Sequence, residues 1–266
     1  MARRENRGFL VLATAVALLA SCGGGGSAKA TAPPPTTTRP VTTTTKAPAA
    51  PNTPKQRAAD TAVAKQAVLE VSDLPFGWAA NPHDDSGPDL PKPVETKFAA
   101  CAHLPKRFVD NKNDDQPNAD SPDFTKGTVG AGAAAEVDSS VELDRTVSDI
   151  SEPLSHFADP DTTKCFDPLF RAELALALRG DQGVSLQDFA FRALSVGSIG
   201  DQAAGFQGRV TIVGPKASIP IEFDLYFVRK GRAIATLTTI AFSVPFDQAF
   251  AQSLLEKMVG RLGAAV

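Results

Sequence analysis

The chain has three histidines, His83, His103 and His156, and three cysteines, Cys22, Cys101 and Cys165, in 266 residues. Any nucleophilic or metal chemistry must therefore be built from few parts. Ser198 lies in Val196-Gly197-Ser198-Ile199-Gly200, which misses the Gly-x-Ser-x-Gly elbow of serine hydrolases because Val stands at its first position. A triad would have to use one of the three histidines. His83 and His103 fall in predicted loops, and His156 near a helix end, where a cation complements the helix dipole. His83-Asp84-Asp85 offers one nitrogen and two carboxylates. Asn111, Asn113 and Asp115 begin like a calcium loop, but Gln116 replaces the required Gly and Pro122 the bidentate acid. Phosphate-loop, dinucleotide and zinc patterns are missing as well. The expectation is a non-enzymatic chain without cofactor or metal, with an unrecognised hydrolase as the third alternative.

The first segment carries an address. Arg3, Arg4 and Arg7 stand against Glu5 alone, and Phe9 to Ala20 is apolar apart from Thr14, the layout of a secretory signal peptide. Twelve helical residues reach about 18 Å, short of the ~30 Å hydrocarbon core, so a permanent spanning helix is disfavoured. Leu19-Ala20-Ser21-Cys22 resembles the lipobox of bacterial lipoproteins. That resemblance implies removal of residues 1–21, a diacylglyceryl thioether on the Cys22 sulfur and an acylated amine, with two or three acyl chains anchoring the chain to the extracytoplasmic face of the cell membrane.

Residues 22–56 follow as a stalk. Their Gly run, Pro33-Pro34-Pro35 and Thr clusters cannot build a core and favour extended, solvated backbone of roughly 30 Å or more end to end. The stalk holds four bases and no acid, which leaves 20 bases and 29 acids for residues 57–266. An acidic domain and a sequence pI near 5.7 give no reason to expect a nucleic-acid partner.

Residues 57–266 are expected to form one globular α+β domain: an antiparallel four-to-five-stranded sheet, its C-terminal part a meander, covered by helices and holding one disulfide. Ala59, Val63, Ala67 and Val71 predict a first helix. Residues 79–97 and 110–126 read as surface loops around a short segment at 97–109, and 128–143 as a strand. Val147, Ile150, Leu154 and Phe157 predict a helix that Pro153 should kink or interrupt, and 166–178 a further helix. Val184 to Leu194 and Phe206 to Val213 read as strands. From 219 to 228 apolar Ile219, Ile221, Phe223, Leu225 and Phe227 alternate with the intervening residues, Lys230-Gly231 supplies a turn, and 234–241 returns. Pro245 is expected to open a last helix with Phe250, Leu254, Met258 and Leu262 on one face. With Cys22 committed to lipid, Cys101 and Cys165 form an even pair in an oxidising compartment, which predicts a disulfide. Gly200-Asp201 reads as a turn in which the Asp bonds its own backbone.

Leu74-Pro75-Phe76-Gly77-Trp78, the two cysteines, Gly200-Asp201-Gln202-Ala203, Tyr226 to Arg232 and the final Arg261-Leu262 together resemble actinobacterial envelope lipoproteins. They are also similar to the extracytoplasmic sensor domain of a mycobacterial Ser/Thr kinase and its related lipoproteins. The resemblance implies an α+β domain whose groove takes a ligand or partner, and it carries no catalytic residues. The 16 Phe against one Trp and one Tyr leave two uses for an apolar sheet face. It is either dry core beneath an envelope-protein interaction module, or a groove for a hydrophobic envelope molecule such as a lipid or glycolipid.

Overall fold

The structure is a computed structural model and describes residues 53–83, 91–104, 116–129, 132–178, 183–215 and 217–263. Thr53 caps the first helix by accepting a hydrogen bond from the Gln56 amide at 3.1 Å, with Pro54 in the first helical position, where its missing N–H costs nothing. Helix α1 therefore runs Pro54–Ala67, and the residues read as the end of the stalk form its first turn. Its inward stripe is Asp60, Ala64 and Ala67, whereas Ala59, expected on that stripe, is exposed and Val71 lies beyond the helix, 51% exposed. The helix is turned so that Asp60 reaches a partner across the fold.

Segments predicted as loops contain regular structure. Strand β1 is Ala79–Asn81, helix α2 is Lys92–Cys101, β2 is Asn118–Asp120 and β3 is Asp123–Lys126. Three- and four-residue strands are too short to show a period, which hid them from the sequence reading. β2 and β3 run along the same edge of β4, Ala134–Leu143. They are separated at Ser121-Pro122, where Pro has no N–H to give the ladder. Ser121 bridges the gap: its amide donates to the Ser139 carbonyl at 2.8 Å and its Oγ accepts from the Ser139 amide at 2.9 Å.

Helix α3, Val147–Phe157, is capped reciprocally by Thr146 and Asp149 and continues through Pro153, which is buried within it. The expected interruption does not occur. Helix α4 is Thr163–Ala177. Then β5, Ser185–Ala193, β6, Gln202–Val213, β7, Ser218–Lys230, and β8, Ala233–Phe242, form an antiparallel meander, as the alternation predicted. Gly231 closes the β7–β8 hairpin with a φ of 56°, open to Gly without penalty. The last helix, α5, is Gln248–Leu262. It begins three residues after Pro245, its expected first residue, because Asp247 caps it, accepting from the Ala249 and Phe250 amides.

The sheet order is β1-β3-β4-β8-β7-β6-β5, with β2 beside β3 on β4. Five long strands carry the four-to-five expected, and three short ones extend the edge. Both faces are covered. On one, Val137, Val141, Tyr226, Val228 and Leu237 meet Ala64 and Ala67 of α1 and Leu254 and Met258 of α5. On the other, Phe206, Phe223, Ile221 and Ile240 meet Phe98 of α2 and Phe166 and Phe170 of α4. The alternation in β7 thus separates two cores rather than a core and a wet face, which is why Tyr226 and Val228 are buried as deeply as Phe223.

Candidate ligand and partner sites

The most unusual chemistry lies on the α2/α4 face, at the edge made by β3, β4 and β8. Glu136 pairs with Thr125, Asp138 with Thr238, and Asn81 with Asp123; paired residues share a face, so Asp123, Glu136 and Asp138 gather there. All three are buried, between 6% and 8% exposed. His83, two residues beyond β1, brings its Nδ1 to 2.5 Å from Asp123 Oδ1, and Asp138 Oδ2 is sealed without a hydrogen bond. Burial, then the Asp123 charge, pushes Glu136 up to about 7, against the opposing effect of His83. Burial, then Asp123 and Glu136, holds Asp138 well above the usual carboxylate range. Glu136 and Asp138 thus hold their protons more tightly than ordinary carboxyls. Carboxyls that titrate near neutrality suit acid–base work, but burial this deep restricts access to them. Among the described residues no group of three or more His, Cys, Asp or Glu is arranged to hold a metal ion. The sequence reading missed Glu136 and Asp138, because acids alternating with Ala135, Val137 and Ser139 look like the solvent face of a strand. A covering layer buries them, and alternation does not reveal a layer.

The other face carries a polar relay. Arg192 of β5 donates to Gln207 Oε1 at 2.9 Å from its Nε, the Gln207 amide donates to Asp224 Oδ1 at 2.8 Å, and Tyr226 donates to Asp224 Oδ2 at 3.1 Å. Asp224 is fully buried. Burial raises it to about 6, with Glu222 adding and the Gln207 and Tyr226 bonds opposing. Burial and the neighbouring Asp224 hold the Tyr226 hydroxyl far above its ordinary range. Tyr226 is thus a donor at every physiological pH, and the relay is satisfied along its length.

An aromatic platform stands where the segment after α1 meets the start of α5. Trp78 lies 6.3 Å from Phe246 and 6.4 Å from Phe250, and the last two stack at 5.9 Å. Gly77, with a φ of +99°, turns the chain so that Phe76 projects fully into solvent, 102% exposed, while Val244 is 55% exposed. Burying a Phe is worth ~2 kcal/mol, so a wholly exposed ring two residues before an aromatic cluster is a place where contact with another molecule would be favourable.

The remaining sequence candidates separate. Cys101 and Cys165 are joined, S–S 1.98 Å and Cα–Cα 5.6 Å, tying the end of α2 to the start of α4. His103 and His156 meet with ring centroids 5.1 Å apart and planes tilted by 36°, whereas His83 pairs with Asp123. Ser198 is exposed. Asp201 does not bond its own backbone as expected. It accepts from the Gly231 amide at 2.7 Å, Arg229 Nη1 at 3.4 Å and Lys230 Nζ at 3.3 Å, so it locks the β7–β8 hairpin. Its carboxyl, raised by burial, is pulled below the ordinary value by these donors, the Gly231 amide foremost. Cys22, Asp84, Asp85, Asn111, Asn113 and Asp115 lie outside the described residues.

These features define an α+β domain with an antiparallel sheet between helices and one disulfide across its α2/α4 face. Among the described residues no helix is long and apolar enough to cross a membrane. No protein-family model and no curated protein matches the chain. Among solved structures, the chain is similar to LpqN, involved in cell envelope biogenesis of Mycobacterium tuberculosis, with 9% identity and a TM-score of 0.28 over 69% of this chain and 74% of that one. A likeness of this size carries no argument about function.

Proposed function

We propose that the chain is a lipoprotein of the cell envelope, held at the extracytoplasmic face of the membrane by acyl chains on Cys22, and that its domain is a non-enzymatic ligand- or partner-binding module. The kinase sensor resemblance belongs to this proposal. The anchor rests on Leu19-Ala20-Ser21-Cys22 after an apolar segment too short to span. The binding role rests on one observation, the fully exposed Phe76 two residues before Trp78 of the Trp78–Phe246–Phe250 cluster. A second reading, a carrier of a hydrophobic envelope molecule, is favoured by the partly exposed apolar residues at the margin of the α2/α4 core and by Glu173 on α4, whose Oε2 is buried without a hydrogen-bond partner.

The test is expression of the full chain in an envelope-bearing bacterial host. The expected result is a membrane-bound product whose first residue is Cys22 carrying acyl chains by mass spectrometry, and its release when Cys22→Ser is made. A soluble wild-type product with an unmodified N-terminus would overturn the anchor. Native mass spectrometry of the released form, followed by solvent extraction, then separates the two roles. A bare protein of expected mass supports partner binding, and a stoichiometric lipid-sized adduct supports the carrier.

A further inference from the structure

Helix α4 has an acid at the centre of its apolar face. Its buried side chains are Cys165, Phe166, Leu169, Phe170 and Leu174, and at about 100° per residue the middle of that arc falls on position 173. Position 173 is Glu. The Phe166 ring lies 4.4 Å from Phe206, and Phe170 lies 5.0 Å from Phe223. The helix lies along β5, where both rings stack on Phe191, and its C-terminal half is directed toward the rows of Val210, Ile212, Ile219 and Ile221, which belong to the same apolar cluster.

Glu173 Oε2 is sealed from solvent and has no hydrogen-bond partner, and burial pushes the carboxyl up to about 8. A buried polar atom left unmade in this way is a standing cost to the fold. The residue as a whole is only part-buried, and Val94, Val129, Ala177, Val184, Leu186 and Ala217 at the edge of the cluster are partly exposed. The site has an apolar floor, an unfinished apolar margin and one unsatisfied acid group.

We propose that the sheet face beneath the C-terminal half of α4 binds an apolar chain bearing one hydroxyl group, with Glu173 exchanging hydrogen bonds with that hydroxyl; this rests on the carrier reading above. The choice of hydroxyl follows from the acid. A neutral carboxyl both donates and accepts, and so does a hydroxyl. A bare hydrocarbon leaves Oε2 unsatisfied. An ammonium requires Glu173 to ionise in apolar surroundings, and a carboxylate ligand brings a second acid to the first.

The probe is 1-decanol, titrated by calorimetry at pH 6.5 into the secreted, unacylated chain from residue 22 carrying Cys22→Ser, with its disulfide intact, and with decylamine and decanoate as comparators. One decanol per chain is expected, at least tenfold tighter than either comparator. Glu173→Leu should weaken it tenfold or more, while Glu173→Gln, which keeps a donor and an acceptor, stays within threefold. The Glu173 carboxyl carbon resonance should move when decanol is added, which a purely structural acid would not show. Decanol binding unchanged in Glu173→Leu, or a preference for decylamine, overturns the role of Glu173 and leaves the carrier reading standing. Failure to bind decanol while the secreted chain still yields an extractable lipid places the ligand elsewhere and overturns this site alone. Failure of both removes the site and the carrier together.

Discussion

Asp60 on α1 and Arg232 in the β7–β8 hairpin, 172 residues apart, form a two-pronged ion pair. Arg232 Nη1 donates to Asp60 Oδ2 at 2.9 Å and Nη2 donates to Oδ1, while Nη1 also donates to the Asp144 carbonyl at 2.9 Å. The side chains are 7% and 15% exposed, so the pair joins the first helix to the hairpin and to the end of β4 from inside.

Removing one member strands the other in a dry site. Asp60→Ala is expected to lower unfolding free energy by about 3 kcal/mol, read as a lower urea midpoint with an unchanged slope. Asp60→Leu with Arg232→Met should recover part of that loss, since two apolar groups leave no orphan charge. An Asp60→Ala midpoint within error of wild type would show that the pair is solvated.

The disulfide closes a 64-residue separation between Cys101 and Cys165. In the chain-entropy account, a loop of this length restricts the unfolded chain by ~4 kcal/mol. The double variant Cys101→Ser and Cys165→Ser should unfold at correspondingly lower denaturant. The α2/α4 face should show the largest gain in amide exchange, because the bond joins those two helices and the α1/α5 core does not depend on it.

Gly208 on β6 pairs with Phe223 on β7, and a Cβ at 208 would overlap the Phe223 ring. That ring packs on Phe170 and Phe191 and cannot withdraw without disturbing both. Gly208→Ala is expected to cost ~3 kcal/mol, the upper end for overpacking. Gly260→Ala, with open space around its Cβ position, should be neutral or slightly stabilising in its helix. Equal behaviour of the two variants in thermal unfolding would contradict the packing described.

Stability should fall as pH rises. Glu136 and Glu173 titrate near 7 and 8 in the folded chain, against 4.5 for a free Glu. Between those values the folded state holds protons that the unfolded state has lost. Their contribution is complete below about pH 4.5 and disappears as pH climbs through the folded values. For Glu136 alone this amounts to roughly 3 kcal/mol, at about 1.4 kcal/mol per unit. Asp73 works in the opposite sense. Burial raises it, but the Arg261 bond, the Glu70 amide and the charges of Arg261 and Lys257 bring it below 3.8, so it contributes above that value and is lost on strong acidification. Urea midpoints should therefore peak in mildly acid buffer and decline toward pH 8.5. Glu136→Gln and Glu173→Gln should each flatten the decline, and a wild-type profile flat from pH 5 to 8.5 would refute the buried-acid account.

Local rules in the chain were enough to read the meander, the last helix and the cysteine pair. Strand β7 alternates over ten residues and Gly231 permits its turn, and these depend on neighbours in sequence. The pairing of Cys101 with Cys165 followed from counting once Cys22 was set aside for lipid in an oxidising compartment. The proposed N-terminal address rests on residue order as well, on the three residues before Cys22.

Only the tertiary structure decided which polar groups are buried. Asp60 looked like a surface helix position until the β7–β8 hairpin arrived beneath it, and Asp201 like an ordinary turn until it reached Gly231. Glu136, Asp138 and Glu173 carry no local sign of their burial, because alternation and helical period report which residues share a face and not what lies on top of that face. Covering is set by contacts between segments far apart in the chain. The groups whose chemistry is most altered, Glu173 among them, are those that such contacts enclose.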